Sequence, residues 1–320
     1  MEGYLEILAG FGLDLWIGDP KSMPHPVRWI GATAHYLEVI TRRKISNPFA
    51  AGVTTTALVM AGIVSIVGGF LLILEAVHPF LNFMGSIYLA YTCIAARSLY
   101  DESRPVALAL QNGRAEEARK HLTQIVGRDT DPLDESGMIR ATVETVAENT
   151  IDGVVAPLFY LCIGGPVAGL VYKGINTLDS LFGYRNSVYE KFGKFPARLD
   201  DAANWLPARL GGALMVVSCW CCSPGTGRPG SILLRDWRHH ASPNAGIPEA
   251  VMAGYLGIRL GGPAYYQGIW IDKPYIGDSV RDVEINDIRL SHQVMWMTSV
   301  LALAAFILIT KWDGLKIPAL

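Results

Sequence analysis

Charge is scarce in this sequence: Asp, Glu, Lys and Arg make up 18% of its 320 residues, where a soluble domain carries about 25%. Neither sign dominates. The formal net charge is −2, which supplies no basic field and excludes nucleic acid as a partner. Cysteine is also short, with five residues in all, too few for a disulfide framework in so long a chain. Cys219, Cys221 and Cys222 lack a second ligand pair for a metal and read, like Cys93 and Cys162, as small apolar packing residues. There is no Walker A sequence. Gly225-x-Gly227-x-x-Gly230 matches a dinucleotide fingerprint in form only, because it follows an apolar run and not the strand of a βαβ unit. No internal repeat or low-complexity tract is found. Met1 to Glu6 lack the basic start and small-residue cleavage site of a signal peptide, so an uncleaved first span is expected.

What is abundant is apolar surface: 51% of residues are hydrophobic, and they come in blocks. Ala50 to Leu74, Gly153 to Tyr172, Leu210 to Gly227 and Gln293 to Thr310 contain no charged residue, which is the signature of membrane spans. Six apolar segments can be drawn: Tyr4–Gly18, weakened by Glu6 and Asp14, then Ala50–Leu74, Phe80–Ala96, Gly153–Tyr172, Trp205–Cys222 and Val294–Thr310. All should be helical, because a chain in lipid must satisfy its own backbone. The expected fold is therefore an all-α, polytopic integral membrane protein, a single domain over residues 1–320, with about five to six membrane helices and helical cytoplasmic loops. Glu75, His78 and Pro79 mark a tight, outward-facing turn between two antiparallel spans. Lys21, Arg28, Arg42, Arg43 and Lys44 crowd the next-earlier loop, which the positive-inside rule places in the cytoplasm. If every segment crosses, Lys173 to Asn204 falls outside; a re-entrant hairpin at Gly164-Gly165-Pro166 would return it. Arg104–Gln111 and Ala115–Val126, parted by Asn112-Gly113, form a helical hairpin, and Asp131 before Pro132 is the expected N-cap of a helix running to about Asn149.

Candidate chemistry clusters at the edges of these runs. Arg140, Glu144, Glu148 and Asp152 recur every four residues on one helical face that enters an apolar segment, where bare carboxylates need a compensating cation. A Mg²⁺ carrying nucleotide phosphates would compensate them; an Arg140–Glu144 pair on a solvated face is the alternative. Gly127-Arg128-Asp129-Thr130 offers a guanidinium for phosphate, or a turn with a capping Asp. Lys173, Asn176, Asp179 and Ser180, and Arg198, Asp200, Asp201 and Asn204, are ionisable clusters beside apolar runs. Of the adjacent aspartates, at most one can share a ligand with Asn204, and helix capping is the plainer role. Ser242-Pro243-Asn244 with Glu249, and Leu260-Gly261-Gly262-Pro263 with Tyr265 and Tyr266, suit close backbone approach to a large ligand, or simple loop punctuation. Gly18-Asp19-Pro20 and His25-Pro26-Val27-Arg28 set a His and an Arg at the membrane edge.

In this order and spacing, the motifs from Gly18-Asp19-Pro20 through Gly127-Arg128-Asp129-Thr130, Glu144 to Gly153, Asn176 to Ser180, Ala197 to Asp201, Ser242-Pro243-Asn244 and Leu260 to Pro263 resemble the CobD/CbiB family of cobalamin biosynthesis, the adenosylcobinamide-phosphate synthases. The resemblance covers nearly the whole chain. Ala264 departs from it, standing where a polar residue such as Asn is expected. It implies an inner-membrane carbon–nitrogen ligase that uses ATP and Mg²⁺ to condense adenosylcobyric acid with (R)-1-aminopropan-2-yl phosphate, or with aminopropanol. The active site would face the cytoplasm. Activation of the propionate as an acyl phosphate needs the metal, cationic cover for phosphate and a base for the ammonium proton. On that reading Glu144, Glu148 and Asp152 are metal or base candidates, Arg128 and Lys173 hold phosphate, and Asp200 or Asn204 orients the amine. His25, Arg28, Asp129, Thr130, Asn149, Asn176, Asp179, Arg198, Ser242, Asn244, Glu249 and Tyr266 complete the expected substrate and nucleotide site. Expected partners are the corrinoid, the aminopropanol phosphate, the lipid bilayer and other membrane enzymes of late cobalamin assembly. Two other classes stay open on the residues alone: a transporter, favoured by the broken helix at Gly164-Gly165-Pro166, and a Mg²⁺-dependent membrane prenyl- or phosphotransferase using Asp179 and Asp200-Asp201.

Overall fold

The computed structural model describes residues 3–20, 22–184, 186–223 and 227–312; Lys21 of the basic loop and Gly225 of the formal dinucleotide match lie outside them. In chain order the elements are α1 (Gly3–Ile17), α2 (Pro26–Lys44), α3 (Pro48–Val77), α4 (Pro79–Tyr91), α5 (Ala96–Gln111), α6 (Ala115–Leu122) and α7 (Glu135–Thr150). A π turn (Ile151–Val155) leads into α8 (Ala156–Phe182), followed by α9 (Lys194–Ala203), α10 (Trp205–Cys222), α11 (Pro229–Asp236), a 3₁₀ turn (Trp237–His239) and α12 (Gly246–Leu256). Four short strands, β1 (Leu260–Gly261), β2 (Ala264–Tyr266), β3 (Ile269–Ile271) and β4 (Tyr275–Ile276), precede α13 (Asn286–Trp312).

Among the described residues five stretches are long and apolar enough to cross a membrane: Pro48–Val77, Pro79–Gln111, Glu135–Phe182, Trp205–Cys222 and Asn286–Ile309. The protein is an all-α polytopic membrane protein, as the blocks of apolar sequence require. Ile66, Leu72 and Ile73 on α3 are more than half exposed, a stripe that lipid covers and water would not tolerate. The weak first segment is α1, whose 15 residues reach only about 22 Å, short of the ~30 Å hydrocarbon core.

The helices and turns fall into two compact units, each assembled from separated stretches of chain: residues 1–95, 156–204 and 303–320 in the first, and residues 96–155 and 205–302 in the second. In the first unit α1 packs on α4, α2 on α3, and α8 on α2, α3, α4 and α9. His78 forms the expected turn, closing α3 and opening α4, where its Nδ1 accepts the Phe80 amide at 3.1 Å. The run Ala156–Phe182 is not one rod. Gly164 and Gly165 leave helical geometry, Gly165 with φ 63° and ψ −159°, a region open essentially to glycine alone. The chain reverses there: the rings of Tyr160 and Tyr172 stack at 5.0 Å, whereas a straight helix would separate them by about 18 Å. Of the two alternatives left open at Gly164-Gly165-Pro166, the chain takes the helical hairpin, with arms 156–163 and 166–182.

In the second unit α5 and α6 form the anticipated hairpin around Gly113, whose φ is 68°. α7 begins at Glu135 and not after Pro132. Asp134 is its N-cap, its Oδ1 accepting the Gly137 amide at 2.7 Å, and Asp131-Pro132 lies in the preceding turn. The capping carboxylate that can reach an orphan third-position amide decides the boundary. α12, buried along its whole length, packs against α7, α10 and α11. The strands, which the all-helical reading leaves as loop, make two antiparallel ribbons, β1 with β4 and β2 with β3.

Candidate active site

A cavity of about 250 Å³ in the second unit draws on four parts of the chain: Gly127 and Arg128 after α6, Glu144, Thr145, Glu148 and Asn149 on α7, His240 and Glu249 around the start of α12, and Tyr266 and Lys273 on the strand region. Positions 144, 145, 148 and 149 share one face because a helix returns every three to four residues. Glu144 on that face is buried and Glu148 is half-buried.

Glu144 is fully committed. One oxygen pairs with the Arg128 guanidinium, and the other accepts the Gly261 amide at 2.7 Å. The alternative Arg140–Glu144 pair is not the one formed. Gly261 and Gly262 both have positive φ, and a Cβ on either would strike Pro274 or the Tyr275 ring. The close approach expected of this glycine pair is therefore to the chain's own Glu144 and Tyr275.

Gly127-Arg128-Asp129-Thr130 divides its labour. Arg128 faces the cavity. Asp129 accepts the Gln267 and Gly268 amides at 3.1 and 2.7 Å, tying down the β2–β3 turn that carries Tyr266. Thr130 binds Thr123 at 2.6 Å and offers its carbonyl to Arg119. Ser242 and Asn244 are likewise supports. The Ser242 amide donates to His240 Nδ1 at 3.0 Å, and Asn244 Oδ1 accepts from Arg209 at 3.2 Å.

Glu249 differs from Glu144. It is buried, and its Oε2 has no hydrogen-bond partner. Burial, reinforced by the negative charges of Glu144 and Glu148, pushes its carboxyl well above the usual range. His240 moves the other way, to about 4, chiefly through burial and then the charge of Lys273. With Nδ1 accepting an amide proton, the neutral ring carries its own proton on Nε2 and can donate it. Lys273 Nζ donates to the Tyr266 hydroxyl at 2.5 Å and lies 4.2 Å from the ring centre. The cavity thus sets two cations, Arg128 and Lys273, beside an acid that burial and two neighbouring carboxylates make harder to ionise.

Asp152 does not line this cavity. The π turn at Ile151 widens the winding, so the four-residue register of Glu144 and Glu148 is not carried through it. Among the described residues no cluster of three His, Cys, Asp or Glu is placed to hold a metal, so Glu144, Glu148 and Asp152 do not form a triad. The donor chemistry still fits Mg²⁺ with phosphate oxygens, which needs as few as one carboxylate, here Glu148.

The remaining sequence candidates belong to the first unit. Asp200 is buried and accepts Asn204 Nδ2 at 3.1 Å and Asn176 Nδ2 at 3.4 Å. Asn204, the C-cap of α9, accepts the Tyr172 hydroxyl at 2.9 Å. Of the two adjacent aspartates, Asp200 is the one seen to bond Asn204. Lys173, half-buried, adds its charge near Asp200; Asp179 caps the end of α8 through its carbonyl to Gly183, and Arg198 is exposed on α9. His25 meets Asp19 at 3.2 Å, and Arg28 binds the carbonyls of Pro20 and Met23 at 3.3 Å.

Sequence reasoning missed His240, Lys273 and Thr145. Lys273 precedes Pro274 in a tyrosine-rich stretch and His240 lies two residues before Ser242, so proximity to recognised motifs was the available signal.

The CobD/Cbib protein family model matches residues 7–295. The chain belongs to the CobD/CbiB family. It is 44% identical over 304 residues to the cobalamin biosynthesis protein CobD of Photorhabdus laumondii, covering 94% of this chain and 95% of the relative. CobD of Clostridium perfringens is 41% identical over 306 residues, 95% and 97% of the two chains. Cobalamin biosynthesis protein CbiB of Salmonella typhimurium is 41% identical over 298 residues, 92% and 93%. No solved structure matches the chain. Membership places this CobD/CbiB chain in cobalamin biosynthesis, and the match spans both units apart from the start of α1 and the end of α13.

Proposed function

We propose that the protein is the ATP-dependent amide ligase of the pathway, condensing adenosylcobyric acid with (R)-1-aminopropan-2-yl phosphate, or aminopropanol, at the cytoplasmic face of the inner membrane. The observation that carries this reading is the pairing, in one cavity, of Arg128 and Lys273 with the unpartnered, buried carboxyl of Glu249.

Amide formation from a carboxylate requires a leaving group. The propionate oxygen attacks the γ-phosphorus of ATP and ADP departs; the amine nitrogen then attacks the acyl carbon, and inorganic phosphate leaves. Arg128 and Lys273 offset the charge on the transferring phosphoryl group. Mg²⁺, held by Glu148 together with phosphate oxygens, would supply further charge neutralisation. His240, neutral, donates from Nε2 to an oxygen of the reacting acyl or phosphoryl centre. Glu249, ionised while the substrate ammonium lies beside it, accepts the proton released as the C–N bond forms, and its raised proton affinity favours that transfer. Glu144 acts through Arg128 and is a positioning residue.

Purified protein incubated with adenosylcobyric acid, ATP, Mg²⁺ and the amine should yield the amide and ADP together by mass spectrometry. Glu249→Gln, the isostere of the protonated acid, should keep the fold and lower kcat by about a hundredfold or more. Amide formation without ATP, or none with the complete mixture, would overturn the reading.

A further inference from the structure

A second cavity, of about 330 Å³, shares no lining residue with the first. It lies between α5, which contributes Tyr100, Arg104 and Leu108, and α13, which contributes Arg289, His292 and Trp296. The two helices are locked together beneath it. His292 Nε2 meets Ser103 Oγ at 2.7 Å, both buried, and the Tyr100 ring contacts those of His292 and Trp296 at 5.0 and 5.8 Å.

Its charge is one-sided. Arg104 and Arg289 are exposed, and among the described residues neither has an ion pair; Arg104 lies 5.7 Å over the Tyr100 ring. Its chemistry is also ordered along the helix. Arg289, Gln293, Trp296 and Val300 recur at steps of three and four residues on one face of α13, passing from basic through polar and aromatic to exposed apolar. Basic residues followed by an aromatic and then an apolar surface is the sequence of environments across a membrane interface. Both helices lie at the polar ends of candidate spans, Pro79–Gln111 and Asn286–Ile309. A soluble anion would use the guanidiniums but not the apolar continuation past Trp296.

We propose that this cavity binds one anionic phospholipid, its phosphodiester between Arg104 and Arg289, with the glycerol backbone over Trp296 and an acyl chain along the Val300 face. The site is separate from the amide-forming cavity and does not depend on that assignment.

The full chain, stripped of lipid in mild detergent, would be titrated with phosphatidylglycerol or phosphatidylcholine and bound lipid counted by native mass spectrometry. Phosphatidylglycerol should bind at a concentration about tenfold lower, and the Arg104→Gln/Arg289→Gln variant should lose that preference. Leu108→Glu, which puts a carboxylate on an exposed rim position, should weaken phosphatidylglycerol binding and leave phosphatidylcholine unchanged. Equal binding of the two lipids, a preference that survives in both variants, or equally tight binding of soluble glycerol phosphate would overturn the proposal.

Discussion

Glu144, Glu249 and Asp200 are three buried carboxylates with three different fates. Glu144 has both oxygens occupied, one by Arg128 and one by the Gly261 amide. Glu249 has an oxygen with no partner and a raised proton affinity. Asp200 is satisfied by side-chain amides but carries no ion pair among the described residues, and burial lifts its carboxyl from 3.8 to about 6 despite the bonds from Asn204 and Asn176. A raised acid binds its proton more tightly folded than unfolded. Its contribution to stability is therefore complete below about 3.8 and lost as pH rises through about 6. Asp200→Asn removes that titration. The stability of the variant relative to the parent should rise between those pH values, by on the order of 3 kcal/mol, and level off above. Thermal unfolding in detergent at a series of pH values reads this difference; parallel curves would show that Asp200 keeps an ordinary acidity. The sequence makes such residues visible as candidates, because an acid beside an apolar run is costly. It does not sort them, since the sorting depends on partners far along the chain, such as Gly261 for Glu144.

At the level of elements, the apolar blocks announced the spans, and Gly164-Gly165-Pro166 announced a break. The break becomes a reversal because Gly165 sits at φ 63°, ψ −159° and the arms close through the Tyr160–Tyr172 stack, the Tyr160 hydroxyl donating to the Ala203 carbonyl at 2.9 Å. Gly165→Ala puts a Cβ into a backbone region that side chains avoid and should cost about 1–3 kcal/mol. A lowered unfolding temperature, with Gly127→Ala in open space as the neutral control, is the expected result; an unchanged temperature would mean the hairpin does not need that geometry. Two elements escaped the periodicity argument for physical reasons. The π turn at Ile151–Val155 has no composition of its own and breaks the four-residue count only in three dimensions, which is why Asp152 was grouped with Glu144 and Glu148. The helix start moved from Asp131 to Asp134 because two acceptable caps lie three residues apart, and only Asp134 reaches a third-position amide.

For the whole molecule, counting spans left the sidedness of the polar stretches open. The candidate active site removes one freedom: residues 125–149 and 240–273 line a single polar cavity, so both stretches must lie on one face of the membrane. α10, which lies between them in sequence, packs on both neighbours: Gly211 meets the π turn and Gly212 meets Ile247 of α12. The basic residues Arg42, Arg43 and Lys44 at the end of α2 favour the cytoplasm for the face from which α3 departs, and the turn at His78 then lies outside. In a cysteine-free background, single cysteines at Glu75, Asn112 and Asp282, all exposed positions, separate the possibilities. An impermeant maleimide should label Glu75→Cys in intact spheroplasts and reach Asn112→Cys and Asp282→Cys only after lysis. If all three sides invert together, the cavity survives and the charge rule fails for this chain. If Asn112→Cys and Asp282→Cys label from opposite faces, the two stretches cannot line one cavity, and the assignment of Arg128, Glu249 and Lys273 to one amide-forming site falls with it.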